Sequence, residues 1–143
     1  SGPQRCARLR SLGADETIDY VAQPQWDAAV RALTGGHGVD LTVEVGGATT
    51  IDRSVAATRR GGRVALVGLL TGVPAAVPSL FSAGASISPV MVGSRDDFEA
   101  MNRAIAFHRL RPVIDSRYGF EQLPDALRHL QSGRHMGKIV IDF

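Results

Sequence analysis

The sequence predicts an α/β fold, a three-layer sandwich built on a mostly parallel sheet, from three observations. Two short apolar runs rich in β-branched residues, at 41–45 and 63–70, are bounded by Gly46-Gly47 and Gly61-Gly62. Between them Ile51, Val55 and Ala56 share one helical face, so the stretch 39–72 reads as strand, helix, strand, a right-handed crossover. Strand and helix patterns then alternate along the rest of the chain. Because the two runs are apolar throughout rather than alternating, they predict strands buried on both faces.

Composition bounds the reading. The 143 residues suit one domain, and a chain of this size buries roughly two-thirds of its unfolded surface. A hydrophobic fraction of 44% with 21% charged residues is that of a globular protein. The net charge is +2 and the isoelectric point about 9.2, but the arginines are scattered and no aromatic residues interleave them. That pattern argues against a nucleic-acid platform, and solvated helix faces account for most of the arginines. No apolar run approaches the ~18 residues of a membrane span, and the first residues lack the pattern of a signal peptide. Cys6 is the only cysteine, so no intramolecular disulfide forms, and a reducing cytoplasm is the expected compartment.

Taken in order, residues 4–12 read as a helix with Cys6, Leu9 and Leu12 on one face and Gly13 as its stop. Residues 17–20 read as a short strand. Pro24 precedes a helix over 25–33 that turns Ala29, Val30 and Leu33 inward, and Thr34-Gly35-Gly36-His37-Gly38 ends it. After the crossover, 71–85 is a loop containing Gly72, Pro74 and Pro78. A strand over 86–92 is interrupted by Pro89, which suits a sheet edge or a bulge. Ser94 caps a helix over 95–108, with Asp96, Asp97 and Glu99 in its first turn and Phe98, Met101, Ala104 and Ile105 as its apolar stripe. Residues 113–118 are extended, a helix follows Pro124 and ends near Gly133, and 138–143 closes the chain as a strand.

Four stretches together resemble the carboxyl-terminal part of the medium-chain dehydrogenase/reductase superfamily, in its zinc-type alcohol dehydrogenase-like and quinone oxidoreductase-like branch. They are Leu12-Gly13-Ala14-Asp15 with Ile18-Asp19-Tyr20, Thr34-Gly35-Gly36-His37-Gly38-Val39-Asp40, and Glu44-Val45-Gly46-Gly47 through Gly61-Gly62-Arg63 to Val67-Gly68. The fourth is Val92-Gly93-Ser94-Arg95 with Phe98-Glu99-Ala100-Met101, continuing to Arg111-Pro112-Val113-Ile114-Asp115 and Gly137-Lys138-Ile139-Val140-Ile141. The resemblance implies a Rossmann-type domain lacking its first two strands and its Gly-rich turn, since no Gly-x-Gly-x-x-Gly occurs in the chain. Residues 1–143 would be a partial dinucleotide-binding domain, with the catalytic domain and its zinc ligands elsewhere. In the strand order 3-2-1-4-5-6 the missing strands separate 17–20 from the rest, so that segment must repack locally or be covered by a second copy. A truncated, proteolysed or split form is expected, catalytically silent by itself.

The resemblance also assigns residues. Gly46 and Gly47 would lie beside the nicotinamide ribose, and Val67, Gly68 and Leu69 would approach the nicotinamide, as would Val92, Gly93 and Ser94. Tight turns and a helix cap explain the same residues without a ligand. Tyr20, Arg5 and Lys138 would serve the phosphate end, favouring NADP slightly over NAD, although an arginine on a solvated helix is the commoner case. An edge strand over 86–92 would pair across a two-fold axis, giving a homodimer, or would make the chain a non-catalytic oligomerisation module. Zinc is not expected to bind here, since His37, His108, His129 and His135 have no ligand spacing. Glu44, within an apolar strand, invites reading as a desolvated base, but the resemblance makes it a structural carboxylate holding the turn. Ser54 lacks a nucleophile elbow, and Asp96-Asp97 is a helix start rather than a dyad.

Overall fold

The computed structural model describes residues 2–143, which form two compact units, one ending at Val92 and the other Gly93–Phe143. The first contains α1 (Pro3–Ser11), α2 (Trp26–Leu33), β1 (Val39–Glu44), α3 (Ile51–Ala57), β2 (Thr58–Leu66), α4 (Ser79–Ala83) and β3 (Ser86–Pro89). The second contains α5 (Arg95–Phe107), β4 (Ile114–Gly119), a 3-10 turn (Phe120–Gln122), α6 (Leu123–Ser132) and β5 (Lys138–Asp142). The strands pair in the order β1-β2-β3 in one sheet and β4-β5 in the other. Every pairing is parallel, as the alternation of strand and helix requires.

The β1–α3–β2 crossover is the centre of the first unit. Parallel register sets Thr42 beside Val64, Glu44 beside Leu66, and those two in turn beside Ile87 and Pro89. This row faces α3, whose Ile51 and Val55 are fully buried against Val64. Leu66, Val77, Leu80, Ala83 and Ile87 pack around them. Helix α2 is tied to α3 by Arg53 and Asp27 at 2.5 Å. Arg31 donates from Nε to the Ala56 carbonyl at 2.6 Å and from Nη2 to the Thr58 carbonyl at 3.1 Å. These carbonyls lie at the carboxyl end of α3, where the intrahelical ladder runs out.

Five expectations are corrected, the simplest being that the loop expected over 71–85 contains helix α4. Residues 17–20 form no strand: Asp19 instead holds a local turn, its side chain accepting from the Val21 N–H and its carbonyl from the Gln23 N–H, and its carboxylate also accepts from the distant Gly2 N–H. Ile18 and Val43 line one cavity of about 530 Å³, and among the described residues no strand other than β2 pairs with β1. Strand β2 begins at Thr58 rather than Arg63 and stops at Leu66 rather than Leu70. Its register slips between Val39 and Leu41, and Gly61 at φ +71° supplies the left-handed residue the bulge needs. Strand β3 stops at Pro89 because its neighbour β2 has itself ended, leaving one further bond from the Val90 N–H to the Leu66 carbonyl. Burial on both faces does not hold for β1, whose alternate residues Leu41 and Val43, with Val45 just beyond its end, are exposed, Val43 to 62%. They occupy the face opposite the row that α3 covers.

In the second unit α6 lies against β4 and β5, with Ala126 at 3% exposure. Tyr118 Oη lies 3.0 Å from His129 Nδ1, joining β4 to α6. Asp115 accepts from the Met136 N–H at 2.7 Å, the largest influence holding its carboxyl below the usual range.

Candidate functional site

The carboxyl ends of β1 and β2 are locked together by a clasp of backbone and hydroxyl groups. The Glu44 carbonyl accepts from the Val67 and Gly68 N–H groups at 2.8 and 3.1 Å. The Gly46 carbonyl accepts from the Thr71 N–H at 2.8 Å and from Thr71 Oγ1 at 3.0 Å. In return Thr71 Oγ1 accepts from the Thr49 N–H at 3.1 Å, and the Ala48 N–H donates to the Gly72 carbonyl at 3.0 Å. Two loops more than twenty residues apart in sequence are thereby held face to face.

Glu44 organises the first of these loops. The residue is 4% exposed, and its Oε1 accepts from the Gly46 N–H at 2.5 Å, the Gly47 N–H at 3.0 Å and Thr50 Oγ1 at 2.7 Å. Ser54 Oγ donates to Oε2. Burial is the largest single influence and pushes the carboxyl up, but the donations from Ser54, Thr50, Gly47 and Gly46 outweigh it and hold the group ionised, below its ordinary value. Glu44 is therefore a structural anchor with its acceptor capacity filled, not a base awaiting a proton.

The glycines answer to this packing. Gly47 has φ +101°, and a Cβ there would lie 2.8 Å from the Gly72 carbonyl oxygen. At Gly68 a Cβ would lie 2.3 Å from the Val45 carbonyl oxygen, and at Gly46 it would lie 2.3 Å from Thr50 Oγ1. Any side chain at these positions would prise the clasp open.

The cavity of about 530 Å³ opens beside the clasp, lined by Tyr20 and Trp26 together with Val45, Gly46, Thr49 and Thr71. The structure thus brings Tyr20 to the same cavity as Gly46, and the clasp sets Gly47, Val67, Gly68 and Leu69 around the same edge. Arg5 lies half-buried on α1 and does not line this cavity. Val92, at the end of the first unit, is 95% exposed. In the second unit Ser94 caps α5, its Oγ accepting from the Asp97 N–H at 3.2 Å while Asp97 Oδ2 accepts from the Ser94 N–H at 2.8 Å. Gly93 packs on that box, since a Cβ there would lie 2.9 Å from Asp97 Cβ. Lys138 opens β5 and lines a groove with Leu123, Leu127, Leu130 and Ile139. Sequence reasoning missed Thr49, Thr50 and Thr71; three threonines outside any periodic pattern carry no local signal of a clasp.

Among the described residues no group of three His, Cys, Asp or Glu side chains could hold a metal ion. No helix among them is long and apolar enough to cross a membrane.

The chain matches the family model described as zinc-binding dehydrogenase over residues 12–141. It is 29% identical to a zinc-type alcohol dehydrogenase-like protein of Schizosaccharomyces pombe, over 99% of this chain and 42% of that protein. A solved structure from Sinorhizobium meliloti, assigned there as an alcohol dehydrogenase, superposes with a TM-score of 0.88 at 35% identity, over 100% of this chain and 42% of the other. A mycobacterial protein solved in complex with NADPH superposes with a TM-score of 0.77 at 29% identity, over 99% of this chain and 47% of the other. The chain therefore spans less than half the length of these relatives, and its parallel α/β architecture is that of their Rossmann-type domains.

Proposed function

Since the chain belongs to the zinc-binding dehydrogenase family, we propose that it is the cofactor-binding portion of an NAD(P)-dependent oxidoreductase, residues 1–143 forming a partial dinucleotide-binding domain. The observation that carries this reading is the glycine clasp at the carboxyl ends of β1 and β2, bordering a cavity of about 530 Å³. Parallel α/β sheets bind ligands at that edge. The Gly46 and Gly47 N–H groups already donate to Glu44, so this turn has no donors left for a phosphate. What it offers is bare backbone at close range, which fits the nicotinamide half of a dinucleotide rather than its pyrophosphate.

Gly46, Gly47, Val67, Gly68 and Leu69 would wall the nicotinamide half, with Val92, Gly93 and Ser94 contributing to it, while Tyr20, Arg5 and Lys138 would serve the phosphate half. NADP is placed ahead of NAD on those last three residues. The bound nicotinamide would supply hydride transfer to or from an alcohol, carbonyl, enone or quinone. The chain's own part is to position that ring and keep water from one side of it. Acid–base groups and any zinc would come from residues outside this sequence, so the isolated chain would be inactive.

Calorimetric titration with NADPH and NADH tests the reading. Saturable binding at micromolar cofactor, weakened in Tyr20→Ala and Lys138→Ala, is expected. No heat with either nucleotide at millimolar concentration would overturn it. A second reading, a non-catalytic module that dimerises through residues 86–92, is supported by β3 standing at the sheet edge with Met91 and Val92 exposed beyond it. Sedimentation that shows a dimer indifferent to nucleotide would favour that reading.

A further inference from the structure

We propose a second anion-binding site, for a small phosphate dianion, at the opposite edge of the first sheet, where its strands begin. A notch of about 390 Å³ is lined there by Arg31, His37, Arg59, Arg60, Ser82 and the adjoining backbone. Gly36 and His37 precede β1, Arg59 and Arg60 open β2, and Ser82 and Ala83 precede β3. The notch therefore belongs to the amino-terminal edge, away from the glycine clasp, and does not depend on the dinucleotide reading.

Three arginines line it, and they are not equally committed. Arg31 spends its donors on backbone carbonyls, Nε on Ala56, Nη1 on Gly36 and His37, and Nη2 on Thr58. It is fixed in place, and its charge offsets the carbonyl end of α3. Arg59 pairs through Nε with Asp40 at 2.5 Å and donates from Nη1 to the Arg60 carbonyl at 2.8 Å. Arg60 has no carboxylate partner among the described residues. Its side chain lies against Gly84, and it lines the notch beside Ser82 and Ala83.

Three guanidinium charges thus face one carboxylate, and that carboxylate, Asp40, does not line the notch. Among the lining side chains only Ala83 is apolar. Planar guanidinium forks match the oxygens of a phosphate, and the volume accommodates a phosphate with a short organic substituent.

The test is titration of the whole chain with inorganic phosphate, followed residue by residue through backbone amide NMR shifts, against chloride at matched ionic strength. Glycerol phosphate in a parallel titration separates free phosphate from a phosphate monoester. The expected result is saturable shifts at His37, Arg60, Gly61 and Gly84 with none at Gly46 or Gly68. Arg60→Gln should weaken binding about tenfold, and Ser82→Glu, which places a carboxylate at the rim, should do at least as much. Shifts that rise linearly with phosphate, or an affinity unchanged in both variants, would overturn the proposal. Cofactor titration reads the other edge, so the two readings fail separately.

Discussion

The two units of this chain are held together in different ways. In the first, Ile51, Val55 and Val64 are withdrawn from solvent, and a buried carboxylate with four donors ties the central turn to them. In the second, Ala126 is the one described residue buried to a comparable degree, and the fastenings are polar. Tyr118 meets His129, Arg117 pairs with Asp142 at 2.8 Å and Arg128 with Asp125 at 2.6 Å, these ion pairs lying in solvent. Exposed pairs are screened and contribute little, whereas an unpaired buried group is costly. The comparison locates rigidity: the edge proposed to meet the cofactor stands on the stiffer unit, as a site that must hold backbone at fixed distances requires.

Mutations rank along this contrast. Glu44→Ala should cost about 3 kcal/mol or more by urea denaturation, because it strands the Gly46 and Gly47 N–H groups and the Thr50 and Ser54 hydroxyls together. Gly68→Ala should cost about 1–3 kcal/mol, since its Cβ must displace the Val45 carbonyl, and it should also widen the cavity edge. Tyr118→Phe in the second unit should cost about 1 kcal/mol, the value of one hydrogen bond. Arg117→Ala should fall within about 0.5 kcal/mol of the parent. A second-unit substitution as costly as Glu44→Ala would break the contrast.

Acid sharpens it further. The folded Glu44 carboxyl lies below its ordinary value of 4.5, so its contribution is fully present above that pH and is lost as pH falls through the lower folded value. Stability measured from pH 7 downward should show a loss below about pH 4.5 that Glu44→Gln reduces. An unchanged acid limb in that variant would mean the carboxylate is not what holds the turn.

Much of this was legible in the chain because it is local. The glycine pairs and the β-branched run at 41–45 marked the crossover, and Ser94 with Asp97 announced its own cap. The segment 17–20 was misread because its β propensity is real but a strand also needs a neighbour, which propensity cannot supply. The exposure of Leu41, Val43 and Val45 was illegible for a related reason: an apolar run states what a residue would bury against, not whether the covering layer is present. The 58–62 bulge and the Thr71 clasp depend on register between distant segments. Of the site, the glycines could be read, but the reason each must be glycine came only with the neighbour that a Cβ would strike.

Strand β1 ends the described sheet on one side, and that gives the chain a built-in reporter. In a parallel ladder alternate residues direct their amides to opposite neighbours, so an edge strand has every second N–H facing outward. Deuterium uptake along Val39–Glu44 should therefore rise and fall with a period of two residues. Any strand that docked on that side, from whatever source, would silence the fast-exchanging members and make the protection uniform, so the rhythm of exchange along six residues would record the sheet's completion.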